Sequence, residues 1–323
     1  MQNKINDIKY LGCRKDKIRT AKPIIKESAF RMLVYWIEQR SKIHLLKDVY
    51  GAPKPWTTDP ILQTVRFTNV KRELDKETQF LIKTVCHNSD LTIVEKLANI
   101  FFFRIINKRQ SVDGIFPIDF DPAFRFDYDF YRAWENHFPA DYPIFKKVYM
   151  ISGPLGQIHT TCPDESSFIS VLAYTKLLFD NAEFDIVHEH SNAKQIFESL
   201  KNLKAIGNFL AYQMFVDLTY CPECPVSENE FVIAGPGCKD GLKLLFESKD
   251  GMTPEECLFW VRDNWNSMIE YFKIDWKPNE IFWDFPVEEQ NLSVMALQNC
   301  FCELNKFNRA YNGGFVIRHY NGV

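Results

Sequence analysis

The sequence predicts a mainly α-helical protein with one small β-hairpin, and three observations support this. The 323 residues are 46% apolar and 25% charged, which is the balance of a globular protein with a sizeable core. Apolar residues recur at helical spacing over several long stretches, and only one segment has the pattern of two paired strands. Helix start and stop signals flank most of the helical stretches.

The composition excludes several protein classes. No apolar run approaches the ~20 residues that cross a bilayer, and the N-terminus lacks the hydrophobic core of a signal peptide. We therefore expect a cytoplasmic protein with no membrane partner. Nine cysteines are an odd number, which favours reduced thiols over a disulfide framework. The net charge of −3 argues against a histone-like protein.

In the N-terminal half, three helices are predicted. Residues 28–50 have a helical apolar rhythm that ends at Gly51, a typical C-terminal cap. The residues before Pro60 resemble a helix start, so a helix is expected from Pro60 to about Thr84. A third helix is predicted over Leu91–Asn107.

The middle of the chain is less regular. Residues 111–145 are rich in proline, aspartate and aromatic residues, and the many aromatic residues predict an ordered excursion because they would not remain in water. Residues 147–152 and 157–161, on either side of a Gly-Pro-Leu-Gly turn, predict the β-hairpin.

The C-terminal half contains the best helix signals. Thr253 followed by Pro254 and two glutamates is a capping box. Helices are predicted over residues 163–179, 192–200, 254–272 and 292–311.

The charge is unevenly distributed. Residues 1–26 hold eight basic and two acidic side chains, whereas residues 111–141 hold seven acidic and two basic ones. We interpret residues 1–27 as a basic N-terminal arm. This arm either contributes to a surface that binds a polyanion or is simply frayed.

Residues 203–211 (LKAIGNFLA) have the pattern of a helix-hairpin-helix element. Gly207 would let the turn pack against a phosphate, to which the next helix presents free N–H groups. Asn208, Phe209 and Tyr212 follow as candidate contacts to DNA. Such an element grips the DNA backbone without reading its sequence. The alternative is an ordinary corner between two helices.

Residues 55–75 (PWTTDPILQTVRFTNVKRELD) resemble the opening of helix-hairpin-helix DNA glycosylases. In those enzymes an amide at the end of a helix wedges into the duplex, and Asn69 takes that position here. The alternative is that Arg66, Asn69 and Arg72 form a solvated polar face. The candidate aromatic residues of a base pocket are Trp56, Phe67 and Tyr212.

The chain is similar to the alpha-glutamyl/putrescinyl thymine pyrophosphorylase family, which includes the helical domain found beside hydroxymethyluracil DNA kinases. The segments that carry the resemblance are 36–75, 148–153, 207–220, 235–242 and 302–309. The resemblance implies action on hypermodified pyrimidines in DNA and a two-lobed fold like that of helix-hairpin-helix DNA glycosylases. Some members replace an activated pyrophosphate on the thymine methylene with an amine.

This resemblance implies one two-lobed catalytic domain over residues 28–323. Its expected parts are a lobe with the wedge motif at about 52–110, an insertion at about 111–160, a helix-hairpin-helix lobe at about 161–250 and C-terminal helices at about 251–323.

The expected catalytic aspartate of a glycosylase is missing. Gly235 stands at its position, with Lys239 one turn further on. The acid would then be Asp217 or Asp240, and Asp217 is favoured because apolar residues surround it. The alternative for Asp217 is a structural hydrogen bond. The stretch from Gly235 to Gly237 is either a plain turn or a nest of N–H groups for a phosphate.

Residues 302–309 (CELNKFNR) place Glu303 and Lys306 on one helical face. The resemblance suggests that this face, with Arg309, lines the active cleft, whereas the alternative is a solvated helix face.

No metal site or bound cofactor is predicted. Cys221 and Cys224 fit no closed four-ligand pattern, and His188 and His190 lack a third ligand. The chain has no GxxxxGK[ST] sequence, so it carries no P-loop kinase module.

These observations favour a DNA glycosylase that excises a 5-hydroxymethyl-derived, possibly glycosylated, pyrimidine and leaves an abasic site. The alternative is the transferase that exchanges pyrophosphate on 5-hydroxymethyluracil for an amine, and a third reading is a non-catalytic DNA-binding module. Both enzymes would flip the base into a cleft between two lobes. The expected partner is DNA with modified pyrimidines, and no obligate protein partner is evident.

Overall fold

The computed structural model describes residues 11–120, 126–146, 152–160, 164–283, 285 and 290–316. Over these residues the chain is mainly α-helical with one two-stranded sheet, which confirms the predicted helical class. It forms two compact units. The first consists of Met1–Asp75 with Glu228–Val323, and the second consists of Lys76–Ser227. Within the described ranges, none of the helices has the length and apolar character needed to cross a membrane.

The N-terminal part of the first unit is organised by one long helix. Its elements are α1 (Lys15–Thr20), β1 (Ile24–Ile25), α2 (Glu27–His44) and α3 (Pro60–Thr64). A π-helical turn, Leu45–Val49, continues α2, and a 3-10 turn covers Arg72–Leu74. The buried side chains of α2 recur at helical spacing and form the core of the unit.

The described part of the basic N-terminal segment is docked rather than frayed. Arg14 donates to Glu256 over 2.8 Å, and Lys17 pairs with Asp250 at 3.5 Å. The Arg14 guanidinium lowers the pKa of Glu256 to about 2. The predicted basic arm therefore folds onto its own unit from residue 14 onward, and residues 1–10 lie outside the described ranges.

The predicted helix from Pro60 to Thr84 is wrong. Helix α3 ends at Thr64, and Val65 has extended dihedrals of −90° and 133°. Val65 and Phe67 are buried, whereas Arg66 between them is exposed. In an extended segment successive side chains point to opposite sides. The extended conformation therefore buries Val65 and Phe67 on one side and leaves Arg66 exposed on the other. Arg66, Asn69 and Arg72 consequently do not share a helical face.

The second unit contains eight helices among its described residues. They are α4 (Lys76–Leu81, continued by a π-helical turn Ile82–Cys86), α5 (Ile93–Ile106), α6 (Tyr128–Glu135), α7 (Ser152–His159), α8 (Ser167–Asp180), α9 (Ile186–Glu189), α10 (Ala193–Asn202) and α11 (Asn208–Leu218); a 3-10 turn covers Arg109–Ser111. Helix α5 is buried almost all round and starts at a Thr92–Glu95 capping box. It confirms the helix predicted over Leu91–Asn107.

The predicted β-hairpin around residues 147–161 is also wrong. Ser152–His159 form α7, with Pro154 in the first turn, where a helix tolerates proline. Residues 147–151 and 161 lie outside the described ranges. The observed sheet instead pairs β1 with β2 (Phe246–Ser248) in antiparallel fashion, and Ile24 lies opposite Ser248.

The C-terminal part of the first unit is built on a close helix pair. Its helices are α12 (Pro236–Leu245), α13 (Pro254–Tyr271), α14 (Pro278–Ile281) and α15 (Val294–Tyr311). A Cβ atom on Gly241 would lie 2.0 Å from the Phe301 carbonyl oxygen, so only glycine lets α12 approach α15 this closely. The helices predicted over 163–179, 192–200, 254–272 and 292–311 are confirmed to within a few residues.

Candidate functional site

The segment after α3 lies against α15 in the first unit. Asn299 Nδ2 donates to the Asn69 carbonyl oxygen over 2.7 Å, and the Thr68 hydroxyl donates to Asn299 Oδ1 over 3.1 Å. The Thr68 N–H donates to Glu303 Oε2 over 3.3 Å. Two segments more than 220 residues apart in sequence are thus held together by polar contacts.

Basic side chains complete this arrangement. Arg40, on α2, donates from Nε to the Thr68 carbonyl over 3.0 Å and is 6% exposed. Lys306 forms an ion pair with Glu303 and donates to the Arg66 carbonyl over 2.8 Å. We call Arg40, Thr68, Asn69, Asp75, Asn299, Glu303 and Lys306 the first-unit polar cluster.

One carboxyl group of the cluster has a shifted pKa. Asp75 is half-buried, and its Oδ1 accepts the Asn69 N–H over 3.0 Å. Burial raises the pKa of Asp75, although the Asn69 hydrogen bond and the charges of Arg40 and Arg72 oppose this rise. A carboxyl group with a raised pKa and partial exposure is suited to proton transfer.

The predicted wedge residue belongs to the same cluster. Asn69 is 5% exposed, and its Nδ2 donates to the Leu74 carbonyl over 2.7 Å. Its Oδ1 is buried with no hydrogen-bond partner in the described part of the chain. To wedge into DNA, the amide would have to leave the Leu74 carbonyl, so the wedge role stays a prediction.

The aromatic residues predicted for a base pocket lie in both units. Phe67 is buried in the first unit against Trp36, with ring centroids 6.0 Å apart. Trp56, also in the first unit, donates from Nε1 to the Ala52 carbonyl over 2.6 Å. Tyr212 is 3% exposed inside the second unit.

The Gly235–Gly237 stretch is the start of α12. Gly235 is the N-cap residue, with φ of −68°. A Cβ on Gly237 would lie 2.6 Å from Cys302 Sγ, so this glycine serves the packing of α12 on α15. Lys239 and Asp240 are exposed on α12, and Asp240 pairs with Lys243 at 2.8 Å.

The remaining candidates of the first unit differ in exposure. Glu303 and Lys306 lie within the first-unit polar cluster rather than on the solvated face that was the alternative. Arg66 and Arg309 are exposed, and Arg72 is half-buried.

The segment around Gly207, predicted as a helix-hairpin-helix element with an ordinary helix corner as the alternative, forms two helices joined by a turn in the second unit. Helices α10 and α11 are joined by residues 203–207, and Gly207 is the N-cap residue of α11. A Cβ on Gly207 would meet no atom within 4 Å, so the chain itself does not require glycine there. Asn208 and Phe209 are exposed beside it. Contact of this corner with DNA stays a prediction.

Asp217 lies in a closed network of the second unit. It is 0% exposed and accepts from Arg104 at both oxygens, with 2.7 Å between Arg104 Nη2 and Oδ1. Arg104 also donates to Asn107 Oδ1 and to the Thr78 hydroxyl, each over 3.0 Å. This geometry fits a structural role for Asp217, which was the alternative to a catalytic role, because a buried charge needs such partners.

Sequence reasoning named Asn69, Glu303 and Lys306 but missed Arg40 and Asp75. Both are charged residues inside the 36–75 segment that carries the family resemblance, and this was the available signal. Among the residues that the structure describes, no group of three or more His, Cys, Asp or Glu side chains could hold a metal ion.

Comparison with known proteins identifies relatives in DNA modification. The profile of the family described as "5-hmdU DNA kinase, helical domain" matches residues 27–314. The 5-hmdU DNA kinase of Bacillus phage SP10 is 25% identical over an alignment of 322 residues, and the match covers 94% of this chain and 49% of that protein. The chain therefore spans about half the length of this relative. No solved structure matches the chain significantly.

These matches contradict the predicted excision of a base. The proposed DNA glycosylase, which hydrolyses the bond between base and sugar, is wrong, because the relatives are named for a kinase reaction on the intact nucleotide. A hairpin that grips DNA and a residue that replaces a flipped base would serve any enzyme that reaches a base, so they do not specify the reaction. The glycine at the position of the catalytic aspartate was the more informative signal.

Proposed function

This chain belongs to the 5-hmdU DNA kinase helical domain family, and from that premise we propose that it binds 5-hydroxymethyldeoxyuridine in DNA for phosphorylation of its hydroxymethyl oxygen. This reaction would be a step in the hypermodification of thymine. The observation that carries the proposal is the family match over residues 27–314, which includes most of both units. Because the chain has no P-loop sequence, we assign to it the DNA side of the reaction.

The chemistry requires a base near the hydroxymethyl group. An alcohol is a weak nucleophile until its proton is removed. Its oxygen would then attack the γ-phosphorus of a nucleoside triphosphate, and the bond from that phosphorus to the diphosphate would break. The proton needs an acceptor, and we assign this role to Asp75.

The first-unit polar cluster supports this assignment. Asp75 is half-buried with a raised pKa, and Arg40 and Arg72 act on it electrostatically. Asn69 Oδ1, an acceptor without a partner among the described residues, lies in the same loop. A donor on the substrate would satisfy this oxygen and recover the cost of burying it unpaired.

Each unit, taken by itself, has exposed groups that are candidates for contact with the DNA backbone. The candidates are the Gly207 corner with Asn208 and Phe209, and the arginines Arg66 and Arg309. Contacts of this kind are independent of base sequence and weaken steeply with salt.

A second candidate function is the exchange of pyrophosphate for an amine, which the lack of a P-loop sequence favours. An amine nitrogen would attack the methylene carbon, the carbon–oxygen bond to pyrophosphate would break, and the nitrogen would lose a proton. This is the reaction implied by the resemblance to the alpha-glutamyl/putrescinyl thymine pyrophosphorylase family. Lys239 on α12 is the candidate residue for contact with the pyrophosphate.

Intact mass measurement of a duplex with one 5-hydroxymethyluracil distinguishes these reactions. Incubation with the protein, ATP, Mg²⁺ and a separately supplied P-loop kinase domain should add one phosphate under the first candidate, and this product should require the protein. Under the second candidate, the mass of the 5-hydroxymethyluracil duplex should stay the same. The mass of a duplex with a pyrophosphorylated base should change, because the base exchanges pyrophosphate for a supplied amine. Asp75→Asn should abolish the first product, whereas Asp16→Asn, an exposed aspartate on α1, should not. Loss of the base, or no product from either duplex, would overturn the proposal.

A further inference from the structure

A groove of about 510 Å³ lies in the first unit between α3 and the end of α15. One wall consists of α3 and Val65, and the other consists of Ala310 and residues 313–316. Most of the lining residues are apolar. Sites for small ligands commonly have volumes of about 300–1,000 Å³ and mainly apolar walls. The groove therefore has the size and the lining of a ligand site.

Main chain rather than side chains forms part of the second wall. The Gly313 N–H donates to the Ala310 carbonyl over 3.1 Å, and the Gly314 N–H donates to the Arg309 carbonyl over 2.8 Å. These bonds fix the turn and satisfy carbonyl oxygens that would otherwise repel an anion. A Cβ on Gly313 would meet no atom within 4 Å. The space beside this wall is therefore open to a ligand.

An exposed aromatic ring completes the second wall. Phe315 lines the groove and is 83% exposed. A phenylalanine that leaves most of its surface in water gains free energy when a ligand covers it. Aromatic side chains of this kind form stacking platforms for the bases of unpaired strands.

Positive charge lies at the edge of the groove. Lys306, Arg309 and Ala310 are three or four residues apart on α15, so they share one face of the helix. On this face Lys306 donates to the Arg66 carbonyl over 2.8 Å, and Ala310 lines the groove. Arg309 therefore lies beside the groove. Arg66 directly follows the opposite wall in the chain, and both arginines are exposed.

No acidic residue occurs in the segments that form the walls. Residues 60–66 and 304–316 contain three basic residues and no acidic one. Because Lys306 is paired with Glu303, the two arginines carry the remaining positive charge. An apolar groove with guanidinium groups at its edge is complementary to a ligand with a flat apolar part and an anionic part. A nucleotide has this chemistry.

The groove is separate from the first-unit polar cluster. From Asn299, which belongs to the cluster, to Ala310, which lines the groove, α15 rises by about 16 Å. Successive nucleotides of a stacked strand are about 3.4 Å apart, so this distance corresponds to about five nucleotides. A nucleotide in the groove is therefore not the one whose base reaches Asp75.

We propose that the groove between α3 and the end of α15 binds an unpaired nucleotide of a DNA strand, with its base against Phe315 and its phosphate at Arg66 and Arg309. The inference rests on the proposed function only in taking DNA as the ligand. The groove would not read the 5-substituent of the target base, because it holds a different nucleotide.

Anisotropy of a labelled single-stranded oligothymidine tests the stacking contact. Phe315→Ala should weaken binding by about fivefold to about a hundredfold, which corresponds to the loss of one base–aromatic stack. Phe315→Tyr keeps a ring and should retain most of the affinity. Tyr271→Ala removes a ring that is 79% exposed on α13, outside the groove, and it is the matched control that should bind as the wild type does.

The salt dependence of the same titration separates charge from stacking. Arg309→Ala should lower the slope of log affinity against log salt by about 0.7, the contribution of one phosphate contact in a single strand. Phe315→Ala should leave this slope unchanged. Both variants should melt at the wild-type temperature, because both side chains are exposed.

Photocrosslinking places the base in the groove directly. An oligothymidine with one 5-iodouracil, irradiated in complex with the protein, should crosslink to the peptide that contains Phe315. Mass spectrometry of the digested complex identifies this peptide. Crosslinks that all lie outside residues 60–66 and 304–316 would overturn the proposal.

Three other results would also overturn it. The first is a Phe315→Ala variant that binds oligothymidine within about twofold of the wild type. The second is a Phe315→Ala variant that loses ATP binding but keeps its DNA affinity, which would assign the groove to a free nucleotide. The third is a dimer that Phe315→Ala converts to a monomer without a change in DNA affinity, which would assign the groove to a second copy of the chain.

The proposed function fails in a different way. If the wild type does not distinguish 5-hydroxymethyluracil from thymine while Phe315→Ala still loses affinity for oligothymidine, the groove binds DNA and the proposed function is wrong.

Discussion

Each unit of this protein contains a buried polar cluster, and the two clusters differ in completeness. In the second unit, Arg104 donates to Asp217, Asn107 and Thr78, and all four residues are buried. In the first-unit polar cluster, Asp75 is half-buried with a raised pKa, and Asn69 Oδ1 has no hydrogen-bond partner in the described ranges. A complete network stabilises the fold, whereas an incomplete one can bind a ligand.

The largest effect is expected from breaking the complete network. Arg104→Ala leaves the Asp217 charge buried without its partner, so it should lower the free energy of unfolding by about 3–5 kcal/mol. Urea denaturation followed by circular dichroism measures this loss. The control is Asp240→Asn, which removes an exposed ion pair and should cost less than about 1 kcal/mol.

Urea denaturation of Asp217→Asn tests whether the network of the second unit is structural, as the contrast with the first-unit polar cluster requires. Because Asp217 accepts two hydrogen bonds from Arg104, this variant should also be strongly destabilised. If Asp217→Asn unfolded like the wild type but lost all activity, Asp217 would be a catalytic residue, and the contrast between the two clusters would be wrong.

A smaller effect is expected from alanine substitutions of one glycine in each unit. In the first unit, the new Cβ of Gly241→Ala would lie 2.0 Å from a backbone oxygen of α15, so we expect a loss of about 1–3 kcal/mol in stability. In the second unit, Gly207→Ala meets no atom and should change stability by less than about 0.5 kcal/mol.

The DNA affinities of these glycine variants complete the test. If the Gly207 corner contacts a phosphate, Gly207→Ala should weaken DNA binding in an anisotropy titration although its melting temperature is unchanged. Unchanged affinity would remove this corner from the DNA-binding surface.

The smallest change in stability is expected at Asp75. Its raised pKa means that the folded protein holds this proton to a higher pH than the unfolded chain does, so the free energy of unfolding falls as pH rises from the ordinary pKa through the raised one. Asp75→Asn should remove this slope and leave the protein at least as stable at neutral pH. Denaturation across about pH 4 to about pH 7 measures it. Marked destabilisation at neutral pH would make Asp75 a structural residue.

Local signals predicted the helices of this fold well. The capping box at Thr253 marks a true helix start because the bonds involved lie within one turn. The predicted helix from Pro60 to Thr84 failed because its interruption depends on distant residues. Phe67 packs against Phe307, with 6.0 Å between ring centroids, and this contact is invisible in the local pattern.

The candidate site was predictable only in part for the same reason. Asn69, Glu303 and Lys306 could be named from the family resemblance, but Arg40 and Asp75 join them only through folding. Arg40 meets Thr68 across 28 residues, and Thr68 meets Glu303 across 235 residues. The reaction was mistaken because motifs that hold DNA and expose a base do not specify which bond changes.

The central claim is that the protein recognises the hydroxymethyl group of an intact base, and one affinity comparison tests it most directly. Two duplexes that differ only in thymine against 5-hydroxymethyluracil are titrated with the protein. We expect tighter binding of the hydroxymethylated duplex by about twofold to about tenfold, the contribution of one additional hydrogen bond. Equal affinity for the two duplexes, or a preference for thymine, would contradict the account.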